Sequence, residues 1–534
     1  MARFFPCAPG LLASQIRVVT ATPIRPGRLP VLVLLALAFV GVLLLYSAWI
    51  ADDAFITFRV ADNALRGFGL RWNIMERVQA YTHPLWLALI LPLFAMTHEL
   101  LWSVCLLSIA LVLCALALVA SRLARTLGVG RALIFLFLVA LSKSAIAYGT
   151  SGLENPLSLL LLVALVLAPD ERPLLAVSLS ALLGLSRLDL LLVAAPIVLV
   201  RLHRASWRAR IVALCVGVLP LVAWEIFSLV YYGSFVPNTA LAKLGSGIPH
   251  HTLIVQGLRY YESLGIWDPV GALVLFCGVS VGLLSRGRAL ATGVLLYCVY
   301  LVWIGGDFMA GRFFSVPIVL ATYALCTAPW PKRMPIYLAI IPLFSFAGPV
   351  PSPLRWVLGD DFPWYGWGII DERIFYITHT GLMNPWRMHD LRWHKFAKHG
   401  QEIAKKGVVI EGAIGMAGFY AGPGVHIIDD MALADPLLAR LPLADPNKFR
   451  PGHFRRPLPE GYEETIFDGT NRISDPELAQ YYNAITIVTR APIWSAQRWR
   501  VLTSLLTGKL DPLRDAYVTR HPPGSDPMPE PAPW

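Results

Sequence analysis

A run of roughly twenty uncharged residues, "LPVLVLLALAFVGVLLLYSAWI", ends at Ile50 and follows a stretch carrying Arg3, Arg17, Arg25 and Arg28. At a rise of about 1.5 Å per residue such a run is long enough to cross the hydrocarbon core of a bilayer as a helix. Comparable runs recur as far as about position 347, separated by short arginine-bearing links. In lipid a chain satisfies its backbone groups internally, so repeated runs of this kind commit it to a bundle of helices. The composition agrees: 56% of the 534 residues are hydrophobic and 15% charged, and the mean hydropathy is +0.60, far from an ordinary soluble domain. A net charge of +11 suggests a nucleic-acid partner at first sight, but the arginines are dispersed between apolar runs and no basic patch forms. The expected partner is the bilayer, with no nucleic acid.

Placing the basic tail, residues 1–29, in the cytoplasm orients the rest by the positive-inside rule. The uncleaved first span covers about 30–50. The apolar piece from Pro84 is only about thirteen residues long and reads as interfacial or re-entrant within an outer loop, 51–99. Spans at about 100–120, 131–149, 155–168, 174–187, 188–201, 210–232, 269–284, 289–305, 313–329 and 334–347 then alternate, about eleven in all, and every basic link falls inside. The same assignment sends Asp52 and Asp53, Glu154, Arg187 and Asp189, Asn238 and Lys243, and Asp307 and Arg312 to the outer face. Of the seven cysteines six lie in apolar runs without metal-ligand spacing, so neither a disulfide framework nor a structural zinc is expected. Residues 348–518 are richer in Gly, Pro and charge. There "GVVIEGAIGMAGFYAGPGVHIIDDMALAD" reads as strand, short helix, strand, giving an outer α/β domain, and residues 519–534 read as a disordered tail.

Within this frame the polar motifs are weighed against plainer roles. Asp52 and Asp53 open "DDAFITFRVADNALRG", where Phe55, Phe58, Ala61 and Leu65 recur at helical spacing and Arg59 takes a polar position, as in an amphipathic helix on the outer membrane surface. One Asp can cap that helix. The other is then available as a general base toward a hydroxyl, to orient acceptor hydroxyls, or to hold a divalent cation. Two glycines before Asp307 allow a close backbone turn, and Arg312 five residues on suits bidentate binding of a phosphate. Arg187 and Asp189 satisfy one another or serve a substrate. Lys243 snorkels or binds phosphate, Lys143 snorkels, and Trp72, Tyr81 and Trp86 anchor at the interface or stack on a sugar.

Taken in order, the acidic pair, the lateral helix, "RGFGLRWNIMERVQAYTHPLW", "GLENP", "SRLD", "PNTALAK", "GGDFMAGR", and beyond them "GFYAGPGVHIIDDMALADPLLARLP" and "RPGHFRRPLPEGYEE", resemble the GT-C membrane glycosyltransferases that use polyprenyl-phosphate sugars. The pattern is most similar to the arabinofuranosyltransferase B family of mycobacterial cell walls, with "SRLD" standing where an Arg-Pro-acidic pattern is more usual. The resemblance implies transfer of a sugar from a polyprenyl-monophosphate donor to a cell-envelope glycan on the outer face of the bacterial cytoplasmic membrane. It implies Asp52 or Asp53 as the catalytic carboxylate and Asp307 and Arg312 as a second polar motif. With it, Arg312, Lys243 and Arg59 are the expected phosphate ligands, and Asp307, Glu154, Asn238, Arg187, Asp189 and His83 the expected substrate contacts. No cofactor is required, with a divalent cation as the one candidate. The rival readings are a flippase for a lipid-linked substrate, disfavoured because the charges gather at one face, and a structural glycan-binding envelope protein.

Overall fold

The computed structural model describes residues 29–524 except 245, 286, 331–340, 342–351, 357–364, 384–390, 392–393 and 447–448. The basic tail, the expected span at 334–347 and the end of the C-terminal tail lie largely outside the described residues. Among the described residues two helices, Leu101–Leu127 and Trp207–Tyr231, are long and apolar enough to cross a membrane. Two more candidates are bent pairs: Val31–Ser47 with Asp52–Leu65, turned by 84°, and His250–Trp267 with Pro269–Leu283, turned by 115°. Between them stand shorter apolar helices, among them Pro84–Thr97, Val129–Leu141, Asn155–Leu167, Pro173–Ser186 and Arg288–Trp303. The protein is thus a helical one whose apolar helices suit a bilayer.

The 84° turn positions the acidic pair. The first helix stops at Ser47, and residues 48–51 run extended and buried, tied to other segments. The Trp49 indole donates to the Ala147 carbonyl (2.8 Å), Ile50 N–H to the Thr380 hydroxyl (3.1 Å) and Ala51 N–H to the Ser151 carbonyl (2.9 Å). A lateral helix, Asp52–Leu65, then begins with Ala51 as its N-cap and no side-chain cap at all. Capping of this helix therefore explains neither Asp. Both stand in its first turn, where carboxylates favour the positive end of the helix dipole.

The expectation of an amphipathic helix resting on the membrane is corrected. Residues 54–61 are buried all round, Arg59 included, while Leu65 at the end is exposed. The cover comes from the C-terminal part of the chain. There Val408–Glu411 and His426–Asp429 pair in parallel through the short helix Met416–Ala421, the strand–helix–strand order read from the sequence. Val409, Met416, Ala417 and Ile427 join the same apolar core as Phe55, Phe58 and the first membrane helix. A second core, built from Leu437, Leu438, Leu478, Tyr481 and Tyr462, lies under the helices Tyr462–Asp468 and Pro476–Arg490. The boundary in composition near residue 348 is thus not a boundary in packing.

Arg59 holds this seam. It lies 4.3 Å from the centre of the Trp72 ring and donates to the carbonyls of Trp72 (2.9 Å) and Val425 (3.0 Å) and to that of Gly418. Arg59→Met takes the guanidinium donors away from the Gly418 and Val425 carbonyls, while Trp72 keeps its bond from the Asn63 amide, and we expect it to destabilise the protein by about 2 kcal/mol or more, read as a lowered thermal midpoint, with unchanged affinity for a phosphate-bearing lipid.

Candidate functional site

Arg312 is the centre of the site. Its guanidinium stands 3.5 Å from Asp53, 3.6 Å from Glu154 and 3.7 Å from Asp307, three carboxylates delivered by three different segments. The segment that brings it, "GGDFMAGR", is an irregular loop with Gly305, Gly306 and Gly311 all at positive φ. Gly311 has no alternative: a Cβ there would lie 2.3 Å from the Trp267 ring. The loop is fixed from outside by main chain, since Ile370 N–H donates to the Phe308 carbonyl (2.8 Å) and Ala310 N–H to the Ile370 carbonyl (2.9 Å).

These charge contacts are long for hydrogen bonds. Arg312 Nε, one oxygen of Asp307 and one of Glu154 are buried without a hydrogen-bond partner among the described residues. Buried polar atoms are nearly always satisfied, so unused donors and acceptors converging on one point are the mark of a ligand site. Asp53 is the most open of the three carboxylates, its side chain 32% exposed against 6% for Asp307 and 3% for Glu154. It is the one carboxylate of this set with appreciable exposure.

Asp52 faces the other way. It accepts the Met416 N–H at 2.7 Å, and its carboxyl lies so close to Gly415 that a Cβ there would sit 2.3 Å from it. Burial pushes its carboxyl up to about 7. The lateral helix thus grips the helix Met416–Ala421 with a carboxylate at its start and with Arg59 at the Gly418 carbonyl, the pairing its dipole favours. Because the folded-state pKa lies above the unfolded value of about 4, the folded chain loses stability as pH rises from about 4 to about 7, and nothing further above that. Asp52→Asn keeps an acceptor for Met416 N–H without the charge. We expect thermal melts to show the variant level with wild type near pH 4 and more stable than it at pH 8.

The remaining expected residues divide. His83 hydrogen-bonds Thr57 through Nε2 (2.7 Å) and turns Nδ1 toward Glu154 (3.3 Å), so it orients a member of the cluster. Arg187 reaches Glu154 at 3.7 Å but is chiefly engaged by Asp189, with Tyr297 bonded to both (2.9 and 3.0 Å). Lys243, exposed at the end of the helix Asn238–Leu244, is close enough to act electrostatically on Asp307. Asn238 is not brought to the cluster: its amide donates to the carbonyls of Ala432, Leu433 and Asp435 and fastens the C-terminal part. Arg59 is not at the cluster either, its donors being spent on the seam. Trp72, Tyr81 and Trp86 are fully packed inside and present no face to a sugar, and Lys143 is buried beside Trp267 and does not snorkel. Among the described residues no group of three His, Cys, Asp or Glu side chains is placed to hold a metal ion.

Sequence reasoning missed Glu372, Arg450 and His453. Glu372 follows Ile370 directly after the Asp371 cap of the helix Glu372–Thr380, so the main-chain bridge that pins the Asp307 loop also brings this carboxyl in. It is buried, with Arg450 3.9 Å away, and burial first and the nearby Asp53 second hold its pKa well above the ordinary range. Burial, then the charge of Arg450, lowers His453 to about 4. The sequence signals were the acidic pair in "IIDER", which nothing links to "GGDF", and the stretch "RPGHFRRPLPEGYEE", which carries Arg450 and His453 but assigned them no role.

Over 397 residues the chain is 28% identical to a terminal beta-(1->2)-arabinofuranosyltransferase of Corynebacterium glutamicum, covering 62% of this chain and 56% of that protein. Over 404 residues it is 28% identical to a terminal beta-(1->2)-arabinofuranosyltransferase of Mycobacterium tuberculosis, covering 63% of this chain and 64% of that one. The chain is related to arabinofuranosyltransferases. The match spans less than two thirds of the length of these curated relatives. No family model and no solved structure matches the chain.

Proposed function

We propose that this chain is a multi-pass glycosyltransferase of the bacterial cytoplasmic membrane, about eleven spans deep. In this reading it moves a sugar, arabinofuranose in the first instance, from a polyprenyl-monophosphate donor to an envelope glycan on the outer face. The observation that carries the reading is the open carboxylate of Asp53 beside a buried guanidinium with unused hydrogen-bonding capacity. An acceptor hydroxyl attacks the anomeric carbon and gives its proton to Asp53. The bond from that carbon to the phosphate oxygen breaks, and the electron pair leaves with the lipid phosphate. Arg312, supported by Lys243, stabilises the charge that grows there. Asp307 and Glu154 hold Arg312 in place. The metal-independent form of this scheme is preferred because a guanidinium already sits among the three carboxylates.

The test is transfer of radiolabelled arabinofuranose from a polyprenyl-phosphate donor to an arabinan acceptor by purified protein in detergent or nanodiscs, with and without chelator. Labelled glycan formed equally in both lanes supports the reading. Loss of label in the chelator lane reinstates a cation, and movement of intact donor across a bilayer without transfer replaces the enzyme by a flippase.

A further inference from the structure

Glu372 is a buried carboxyl, 4% exposed, that makes no hydrogen bond among the described residues; a guanidinium stands 3.9 Å off. At that distance from its cation the carboxyl makes no hydrogen bond with it and keeps its acceptors for a ligand. Arg450 adds a donor, since its Nη2 is buried without a hydrogen bond among the described residues while Nε donates to the Gly368 carbonyl at 3.0 Å.

Two turns place this pair, and both have evident local causes. Trp367 and Gly368, both at positive φ, make the two-residue link of the hairpin Tyr365–Gly366 with Ile369–Ile370, which a primed turn requires. In "RPGH", Pro451 and Gly452 take the central positions of a turn closed by His453 N–H to the Arg450 carbonyl (2.9 Å), with Gly452 at φ 76°. A Cβ on Gly452 would meet the Phe308 ring at 2.9 Å. The turn therefore lies flat on Phe308, with His453 edge-on to that ring at 4.4 Å and Arg450 5.0 Å above it. Glu372, Arg450, His453 and Phe308 form one wall, and Glu372 and His453 are close enough to Asp53 to feel its charge.

Charge sorts the two substrates between the walls. An anionic phosphate is drawn to Arg312 and Lys243 rather than to a guanidinium whose nearest neighbour is a carboxyl. A neutral sugar with adjacent hydroxyls suits a carboxyl and a guanidinium 3.9 Å apart, since one hydroxyl can bond the acid while its neighbour accepts from the guanidinium. We propose that Glu372 and Arg450 form the subsite for the acceptor glycan, binding adjacent hydroxyls of a neutral sugar residue on the outer side of Asp53. The proposal rests on the transfer reading for the word acceptor, and on geometry alone for the binding of a neutral glycan.

The experiment uses the full chain and a short arabinofuranosyl oligosaccharide. Its direct binding is measured by calorimetry without donor, and transfer kinetics are measured with each substrate varied in turn. Glu372→Ala and Arg450→Ala are expected to weaken oligosaccharide binding and raise the acceptor KM by about tenfold or more, with donor KM within a factor of about two. Glu372→Gln, which keeps the hydrogen bonds without the charge, stays close to wild type. Arg450 is the more exposed of the pair, so its variant serves if Glu372→Ala fails to fold. Unchanged oligosaccharide binding in both alanine variants, or a rise in donor KM that matches the acceptor's, overturns the subsite. Wild-type protein that binds the oligosaccharide through Glu372 yet transfers nothing leaves the subsite standing and removes the transfer reading.

Discussion

Asp53→Asn lowers sugar transfer by about a hundred- to ten-thousand-fold, the range lost with a positioned general base, while the thermal midpoint stays near wild type. The amide keeps the shape and still faces Arg312; in the proposed mechanism donor binding therefore survives, and what goes is the group that takes the acceptor proton. Asp52→Asn is the matched control. Its carboxyl is engaged with Met416 N–H, so transfer in that variant remains within about tenfold of wild type, the order of a small positioning change. Initial rates of labelled glycan formation decide the matter. Equal loss in both variants assigns the pair a shared role, and loss in Asp52→Asn alone moves the base to the seam.

Arg312→Gln carries the second large effect, and it falls on both folding and rate. Three carboxylates converge within 4 Å of this guanidinium, two of them almost wholly buried. Removing the cation while they remain costs about 3–5 kcal/mol of stability, as for any broken buried ion pair. Transfer falls by about a hundredfold or more through loss of charge stabilisation at the leaving phosphate. A second change separates the two effects. Arg312→Gln with Glu154→Gln recovers part of the thermal midpoint, because one uncompensated charge is gone, and recovers no transfer. Recovery of transfer in the double variant would assign Arg312 a structural duty only.

Much of this site was legible in one dimension, for a physical reason. In a chain of apolar runs any charge is conspicuous, so Asp53, Glu154, Asp307 and Arg312 stood out where the same residues in a soluble enzyme would not. The parallel strands around Met416–Ala421 were legible from alternation and glycine. The division of labour between Asp52 and Asp53 was not, because adjacent residues of a helix point about 100° apart and only the packed partner decides which one faces Arg312. Glu372 was hidden for a different reason: it reaches the site through main-chain pairing of Ile370 with Phe308 and Ala310, and backbone hydrogen bonds are indifferent to residue type. The helix His250–Trp267 escaped because "HHTLIVQGLRYYESLGIW" mixes rings and charges with too few apolar positions to read as a membrane run.

The grip of Asp52 on Met416 joins residues 364 positions apart, and Arg59 reaches Val425 over a similar distance. Contacts of that separation cannot form while the chain is still being threaded into the bilayer. The lateral helix must wait, with a buried arginine and a carboxyl unsatisfied, until the C-terminal segment has been made and folds down on it. In the proposed orientation that ties catalytic competence to completed translocation: a chain whose C-terminal part stayed on the other side of the membrane would have Asp53 but no finished site around it.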